Sequence, residues 1–347
     1  MNRAFKRTYL IDQYESFIWT ERFSAMGDFQ LHTLPTAKMK SILKRGVYLN
    51  IQESDRLMVI DSVSITEDAE GAKKMVVSGK DLTSLLLYRA LGSNGTNNSW
   101  IDNGTVAQIA IRMVNAICVN GTGVSPLDVI PELSTQNATT VTEVIDVDIP
   151  KKTLYQAVTE LVEPEDLGIK VELKPTSPRL RFVIYQGVDR KNVVFSSTLD
   201  NLTEENYLYS DENYRNIAYV YAQDEYKREI VTAPGVSASI SGLDRRVMFV
   251  DASDIDLAEV TDADLIKQMR VRGKEALAEN RRIALFDGKL TNINPFKYRR
   301  DYFLGDFVHM MDEEGMKKKT MISEYIWASD AEGDRSYPTF AEPPLKP

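Results

Sequence analysis

Apolar and polar residues alternate along the first part of the chain. In the run GVYLNIQ, Val47, Leu49 and Ile51 alternate with more polar residues, which puts one set of side chains on a buried face. The run RLMVIDSVSI continues in the same style, and the polar stretch TEDAEGAKK separates it from another strand-forming run. Short strands broken by polar turns predict antiparallel β structure of the barrel or sandwich type.

A helical period replaces this alternation in the middle of the chain. Apolar residues recur at three- and four-residue spacing in TVAQIAIRMVNAI and in TLYQAVTELV. Thr153 and Gln156 form a capping-box pattern at the start of the second run. Two strand-forming runs, IKVELKP and RLRFVIYQG, follow these helices. This stretch therefore predicts a small α+β unit inserted between β-rich segments.

One long helix interrupts the strands of the last third. Thr261 is its predicted cap, and its apolar stripe comprises Leu265, Met269, Gly273, Ala276 and Leu277. Because glycine costs roughly 1 kcal/mol relative to alanine inside a helix, we expect Gly273 to permit close approach of a neighbour. The chain then predicts a turn at DEEG (312–315), a strand at TMISEYIWAS and an extended C-terminal tail rich in proline.

The tripeptide Gly-Asp-Phe occurs twice, near the two ends of the chain. The first copy begins with Gly27 and Asp28, and the second with Gly305 and Asp306. Each copy opens a strand-forming run, where glycine can adopt a positive φ and aspartate can accept hydrogen bonds from nearby backbone. We therefore predict that these four residues form structural turns at the corners of two β-barrels.

The last predicted hairpin is apolar on both of its faces. One face can fill a barrel, but the other, which includes Met321, Tyr325 and Trp327, needs a cover. That cover is either another domain or another copy of the chain, and we predict an oligomer interface at these three residues.

These patterns together predict an α+β protein that is mainly β. We expect a first β-barrel domain at residues 1–90, an inserted α+β domain at residues 91–200, and a second β-barrel region at residues 201–347. The second region contains the long helix and the extended tail.

Charge and composition argue against a broad phosphate-binding surface, an intrachain disulfide and a membrane span. The chain has 347 residues with 42 basic and 51 acidic side chains, and its net charge of −9 argues against a broad phosphate-binding surface. Cys118 is the single cysteine, so an intrachain disulfide is excluded. The N-terminus lacks an apolar targeting segment, and no run approaches the roughly 18 apolar residues of a membrane span, so we expect no membrane anchor.

The sequence contains few residues suited to catalysis or metal binding. His32 and His309, the only histidines, follow the two Gly-Asp-Phe copies and are more typical of ordinary polar positions than of a metal pair. The aspartates between Asp251 and Asp264 lack the glycine and glutamate of a calcium-binding loop. Cys118 follows a helical stripe and is expected to be packed. We predict no catalytic, cofactor or metal site, although a carboxylate pair among the 51 acids stays open.

Longer stretches of the sequence resemble a known family. The runs WTERFSAMGDFQLHTLP, LKRGVYLNIQESDRLMVIDSV, VSGKDLTSLLLYR, NYRNIAYV, LDRRVMFVDASD and YFLGDFVHM resemble the tail-hub proteins of long, non-contractile-tailed phages. This family is similar in fold to the baseplate hub of contractile-tailed phages.

The resemblance implies an assembly as well as a fold. It implies a homotrimer whose paired barrels form a pseudo-sixfold ring between the tail tube, or a distal tail protein, and the central fibre or spike. DNA or a tape-measure protein would pass through that ring without tight binding. It also implies a place at the phage tail tip for a protein made in the cytoplasm of the bacterial host.

Two other functions are left open by the residues. A tail-associated cell-wall hydrolase would need a cleft with paired carboxylates. A carbohydrate-binding baseplate module would need exposed aromatic side chains in a shallow groove, for which Trp100 and Trp327 are the candidates.

Overall fold

A computed structural model of the chain describes residues 1, 5–67, 69, 71–92, 94, 99–222, 228–255, 261–290, 295–311 and 317–341. The predicted turn at 312–315 lies outside these residues. The fold is mainly β, as the alternating pattern predicted. The first part of the chain contains β1 (Ser16–Arg22), β2 (Asp28–Thr33), α1 (Ala37–Ile42), β3 (Tyr48–Leu49), β4 (Met58–Glu67) and β5 (Lys73–Asp81).

The middle part contains both helices and strands. Its elements are β6 (Ala90–Leu91), β7 (Ser99–Gly104), α2 (Val106–Val114), β8 (Leu133–Ala138), β9 (Ile145–Pro150), β10 (Lys152–Thr153), α3 (Leu154–Val162), β11 (Gly168–Leu173), β12 (Leu180–Tyr185) and β13 (Asp189–Phe195). A 3₁₀ turn at Leu82–Tyr88 precedes this part, and a shorter one at Pro126–Asp128 lies within it, between α2 and β8.

The last part returns to strands around one long helix. Its elements are β14 (Leu202–Ser210), β15 (Ile217–Tyr221), β16 (Arg228–Thr232), β17 (Val247–Asp251), α4 (Asp262–Glu279), β18 (Ile283–Leu290), β19 (Phe307–Met311), β20 (Lys317–Asp330) and β21 (Gly333–Ala341).

One 11-stranded sheet contains strands from both ends of the chain. Its main path runs β14-β18-β21-β20-β1-β2-β5-β4-β3, and β19 joins it by pairing with both β20 and β13. β1 is antiparallel to β2 on one side and to β20 on the other. Because both edges of β1 are occupied in this way, the first and last parts of the chain form one continuous ladder.

The two closed barrels that the sequence predicted are not confirmed. In the part of the chain that the structure describes, each sheet stays open. The two strands that the Gly-Asp-Phe copies open, β2 and β19, lie in one and the same sheet. Strand periodicity identifies a buried face but not which strand lies next to it, so a local pattern cannot distinguish two small barrels from one shared sheet.

The inserted unit is built around α2 and α3. Capping boxes start both helices: Thr105 with Gln108, and Thr153 with Gln156, the pair that the sequence predicted. Their apolar stripes pack against the three-stranded sheet β11-β12-β8 to form a buried core, in which Cys118 lies. The predicted α+β character of this unit therefore follows from its helical stripes.

Residues 211–282 form a further unit that extends from the large sheet. Its two ends meet where β14 and β18 pair, at Ser210 and Ile283. Within it, α4 packs on one face of the three-stranded sheet β16-β15-β17. A Cβ at Gly273 would lie 2.5 Å from a methyl carbon of Val231, so the predicted close approach at this glycine is confirmed.

The C-terminal segment is extended, as predicted, but it is also paired. β21 runs antiparallel to β20 over most of its length, and residues 342–347 lie outside the described part. The division into 1–90, 91–200 and 201–347 stays a prediction. One relevant observation is that β13, at the end of the expected insertion, pairs with β19 of the large sheet.

Candidate functional site

A polar cleft lies where the first part of the chain, the inserted unit and the last part meet. Its volume is about 340 Å³. Charged side chains from all three parts line it, and they comprise Glu21, Asp55, Arg56, Lys170, Glu172, Arg181, Arg190, Arg299 and Asp306. We refer to these residues and their direct partners as the three-way junction.

Arg56 is the central side chain of the three-way junction. It is 1% exposed, and its guanidinium donates to Asp81 Oδ2 at 2.9 Å and to the carbonyl oxygen of Arg22 at 2.8 Å. Burial opposes its charge, but the nearby Tyr185 and Asp81 raise the pKa of Arg56 above its ordinary value. Since a buried cation is tolerated only when it is paired and hydrogen-bonded, these partners are a condition of the fold.

Asp81 links Arg56 to the first Gly-Asp-Phe turn. Its carboxylate accepts hydrogen bonds from the backbone N–H groups of Gly27 and Thr83, both at 2.9 Å, in addition to the one from Arg56. A Cβ at Gly27 would lie 2.4 Å from the carbonyl oxygen of Thr20. The turn is thus held by a buried carboxylate and has no room for a side chain.

Glu21 connects the first and last parts of the chain. Its buried carboxylate accepts hydrogen bonds from the hydroxyls of Ser54 and Tyr298, the latter at 2.9 Å, and it lies 4.0 Å from Arg56 Nε. Burial raises the pKa of Glu21, although Arg56 opposes this shift. The two hydroxyls and the guanidinium compensate for the hydrogen bonds to water that this carboxylate loses on burial.

A chain of ion pairs continues toward the rim of the cleft. Lys170 of the inserted unit lies 3.1 Å from Asp55 and 2.7 Å from Glu172, while Arg299 of the last part lies 3.1 Å from Asp55. Burial opposes ionisation of Asp55, but Lys170 and Arg299 lower its pKa. The anion from the first part is therefore held by one cation from each of the other two.

The second Gly-Asp-Phe turn lies against the same cleft. Gly305 has a positive φ of +84°, and the Asp306 carboxylate accepts hydrogen bonds from the backbone N–H groups of Phe303 and Val188 and from Arg190 Nε at 2.8 Å. In the first copy, Asp28 also pairs with an arginine, Arg22. Both copies therefore use aspartate to fix local structure, and their effect on stability stays a prediction.

The ring of Phe23 lies between two close-packed glycines, Gly168 and Gly305, near the three-way junction. A Cβ would lie 2.3 Å from this ring at Gly168 and 2.1 Å from it at Gly305. The backbone of Phe23 also accepts from Ile169 N–H and donates to the Ser323 carbonyl oxygen. One buried phenylalanine therefore contacts the inserted unit and the last part of the chain at once.

The three predicted interface residues are largely covered within the chain. Met321 and Tyr325 are buried, and Trp327 is half-buried. Tyr298 stacks on Tyr325 with ring centroids 4.0 Å apart and also contacts Trp327. The apolar face is therefore covered by the preceding segment of the same chain, and an oligomer interface at these residues stays a prediction.

The other residues that the sequence singled out lie apart from one another. His32 is on β2, whereas His309 is on β19 and lies 3.5 Å from Asp189. Burial raises the pKa of the Cys118 thiol to about 11, which disfavours a reactive thiolate. Asp254 pairs with Arg272. Trp100 is buried, so it does not offer an exposed ring to a sugar.

The described residues contain no group of three or more His, Cys, Asp or Glu side chains arranged to hold a metal ion. Over the same residues, no helix is long and apolar enough to span a membrane. The carboxylates of the cleft are engaged by Arg, Lys and Tyr side chains, so this arrangement stabilises the meeting of three parts of the chain. Sequence reasoning missed Arg56 and Asp81, which are 25 residues apart and come together only in the fold.

Phage tail proteins of known structure share this fold. The tail protein from Neisseria meningitidis MC58 has a TM-score of 0.61 at 15% identity, covering 96% of this chain and 93% of that one. The 43 kDa tail protein of prophage MuSo2 from Shewanella oneidensis has a TM-score of 0.61 at 14% identity, covering 95% and 94%. Prophage tail protein gp18 from Listeria monocytogenes EGD-e has a TM-score of 0.56 at 11% identity, covering 96% and 90%.

The chain belongs to the siphovirus ReqiPepy6 Gp37-like protein family, whose model matches residues 1–340. It is therefore a phage tail protein of the siphovirus type and a component of the virion. The predicted resemblance to proteins of this kind is confirmed. A comparison with curated proteins gave no match.

Proposed function

We propose that this tail protein is a structural hub at the tail tip. In this proposal three copies form a ring that joins the tail tube, or a distal tail protein, to the central fibre or spike. The observation that carries it is the three-way junction, where Asp55 pairs with Lys170 of the inserted unit and Arg299 of the last part, and where the nearby Phe23 ring packs between Gly168 and Gly305. Such a rigid connection suits a protein that must hold its neighbours in fixed positions.

The two Gly-Asp-Phe turns are consistent with a ring of three copies. Both open strands of one sheet, β2 and β19, and both have an aspartate paired with an arginine. Two related corners in each chain would give six around a trimer, in keeping with paired barrels that close only when neighbouring copies meet. The division of the chain at residues 90 and 200 and the interface at Met321, Tyr325 and Trp327 belong to this proposal.

Charge is consistent with passage of DNA or a tape-measure protein through the ring. The net charge of −9 permits a channel wall rich in Asp and Glu, which would repel phosphates. A trimer whose channel is dominated by Lys and Arg would contradict this part of the proposal.

The position in the tail is tested by electron microscopy of purified tails labelled with gold-conjugated antibodies to this chain. We expect label at the tip, and label along the tube would contradict the hub. Sedimentation velocity of the purified protein at up to about 100 µM should show three chains per particle.

The non-enzymatic part of the proposal has its own test. Purified protein incubated with host cell walls should release no more reducing sugar or free amine than a boiled control. Release that disappears when one carboxylate is replaced would favour the cell-wall hydrolase instead.

A further inference from the structure

The unit of residues 211–282 presents an aromatic face on the side of its sheet opposite α4. Tyr219 lies across from Ile230 on β16 and from Phe249 on β17. The ring of Phe249 contacts Tyr219 and Tyr221, with centroids 6.0 and 5.7 Å apart, so these side chains share one surface. Phe249 is 72% exposed and Ile230 is 51% exposed. We call these four residues the aromatic face.

The aromatic face lies on the opposite side of its sheet from α4, and Arg245, just before β17, reaches it by donating to the Tyr219 hydroxyl at 3.0 Å. α4 lies between this sheet and the inserted unit, because Lys267 pairs with Asp146 at 3.2 Å and Arg281 pairs with Asp166 at 3.1 Å. The aromatic face is on the far side of that arrangement. Exposed apolar surface of this kind on a rigid scaffold is typical of an interaction site.

Three further exposed apolar side chains lie on two neighbouring segments, the 3₁₀ turn that ends at Tyr88 and the loop before β8. Leu127 is 90% exposed on a short 3₁₀ turn, with Val124 at 65% and Tyr88 at 64%. Arg89 holds these segments together by donating to the carbonyl oxygens of Asp128 and Tyr88 at 2.7 and 3.0 Å. We call Tyr88, Val124 and Leu127 the apolar knob.

We propose that the aromatic face of one copy binds the apolar knob of a second copy of this chain. The two surfaces match in chemistry, because each has an apolar centre with charged side chains of both signs beside it, and Arg245 also lies beside the aromatic face. Arg228 and Asp251 lie across from Tyr221 on either side of the aromatic face, and Arg89 and Asp128 lie beside the apolar knob. Opposite charges can then pair across a head-to-tail contact.

This contact deepens the proposed hub and rests on it for its symmetry. Two different patches that bind each other form a heterologous interface, which generates a ring when the rotation closes. Each copy in such a ring makes two contacts, so a contact below the roughly 800 Å² per partner of a stable pair still contributes when the ring closes.

The test uses two variants that each disable one surface, Phe249→Glu and Leu127→Glu. Leu34→Glu is the matched control, because Leu34 is an exposed leucine outside both surfaces. Masses are measured by sedimentation velocity at up to about 100 µM, where a contact with a dissociation constant of that size is substantially formed. Circular dichroism and unfolding midpoints close to those of the unmodified chain establish that the variants fold.

We expect the unmodified chain and Leu34→Glu to assemble, and each of the other variants alone to associate at least about tenfold more weakly. An equimolar mixture of Phe249→Glu and Leu127→Glu keeps one intact pair of surfaces, so it should form a heterodimer and nothing larger. A monomeric unmodified chain, variants that assemble normally, or a mixture that stays monomeric would each overturn the contact.

Two further outcomes distinguish other occupants and the hub itself. Soluble cell-wall polysaccharide that binds the unmodified chain but not Phe249→Glu, with assembly unchanged, would assign the aromatic face to a sugar and overturn the proposal. Gold label at the tail tip together with normal assembly of both variants would leave the hub standing and remove the contact. A mixture that dimerises, with no gold label at the tail tip, would support the contact and overturn the hub.

Discussion

Only glycine fits at position 305 for two reasons, its positive φ and its crowding by Phe23, and a comparison with Gly242 separates the cost of each. Its φ is +84°, and a Cβ would lie 2.1 Å from the Phe23 ring, whereas Gly242 has a φ of +64° with nothing within 4 Å. We expect Gly242→Ala to cost about 1 kcal/mol of unfolding free energy and Gly305→Ala on the order of 3 kcal/mol or more. Urea unfolding measures both. Equal costs would show that crowding by Phe23 is unimportant.

Removing Arg56 should destabilise the chain strongly, because Asp81 and Glu21 would be left buried without their cation. We expect Arg56→Met to lower the free energy of unfolding by about 3–5 kcal/mol. Lys73→Met is the control: Lys73 lies 3.3 Å from Glu67, both side chains are about half exposed, and its loss should cost less than about 1 kcal/mol. A small effect at Arg56 would mean that the pairs contribute little to the three-way junction.

At the residue scale, repetition made the Gly-Asp-Phe turns visible, whereas nothing in the sequence marked their partners. Arg56 and Asp81 each lie next to a strand-forming run. A charged residue in such a position is typical of an exposed turn. Their burial depends on Gly27, Tyr185 and the inserted unit being brought together. Such a contact joins residues distant along the chain, and local patterns carry no information about it.

Gly273 on α4 offers a test of helix packing against β15 and β16. Inside a helix, glycine to alanine normally gains about 1 kcal/mol, but here the added methyl would lie 2.5 Å from Val231. We expect Gly273→Ala to destabilise by on the order of 1–3 kcal/mol. Adding Val231→Ala should recover much of that loss, and urea unfolding of the double-mutant cycle measures the coupling. Additive effects would contradict the steric explanation.

The surface between α4 and the inserted unit should respond to pH through Glu275. Burial raises the pKa of Glu275 to about 7, helped by Glu160, while Lys152 and Arg272 oppose the shift and Glu279 adds to it. The folded chain therefore keeps a proton that the unfolded chain releases near 4.5. The stability contributed by this proton is present below that pH and is lost as the pH rises toward 7.

Glu275→Gln removes this titration and should flatten the decline of unfolding free energy over that interval, by on the order of 1–2 kcal/mol. Glu332→Gln is the control, because Glu332 is an exposed carboxylate. Urea unfolding at a series of pH values measures both. An unchanged pH profile in Glu275→Gln would show that Glu275 titrates normally.

At the element scale, helices were predictable and the order of strands was not. The stripes and capping residues of α2, α3 and α4 are local, and each helix lies where its period indicated. Strand pairing is set by distant partners: β2 is followed in space by β5, and β1 by β20. The predicted barrels are not confirmed for this reason, although the strand-forming runs themselves were identified.

For the whole molecule, the sequence was informative mainly through its resemblance to tail proteins. That resemblance covers most of the chain, and family membership over residues 1–340 agrees with it. Physical patterns alone indicated a mainly β chain with an α+β insertion, which many unrelated proteins share. The aromatic face was not foreseen, because Tyr219 and Phe249 become neighbours only when β15 and β17 pair.

The pairing of β1 with β20 also determines when this protein can finish folding. Phe17 lies opposite Ser329, so β1 must wait after its own synthesis until β20 has been made. At about 5–20 residues per second, that delay is on the order of tens of seconds, during which one edge of β1 is unpaired. Nascent chains stalled before Lys317 should therefore be cleaved by protease near β1, whereas chains stalled with β20 and β21 fully emerged should resist. Resistance of the shorter chains would mean that the N-terminal strands fold on their own. A sheet that pairs β1 with β20 thus delays completion of the subunit, and with it assembly, until β20 has been synthesised.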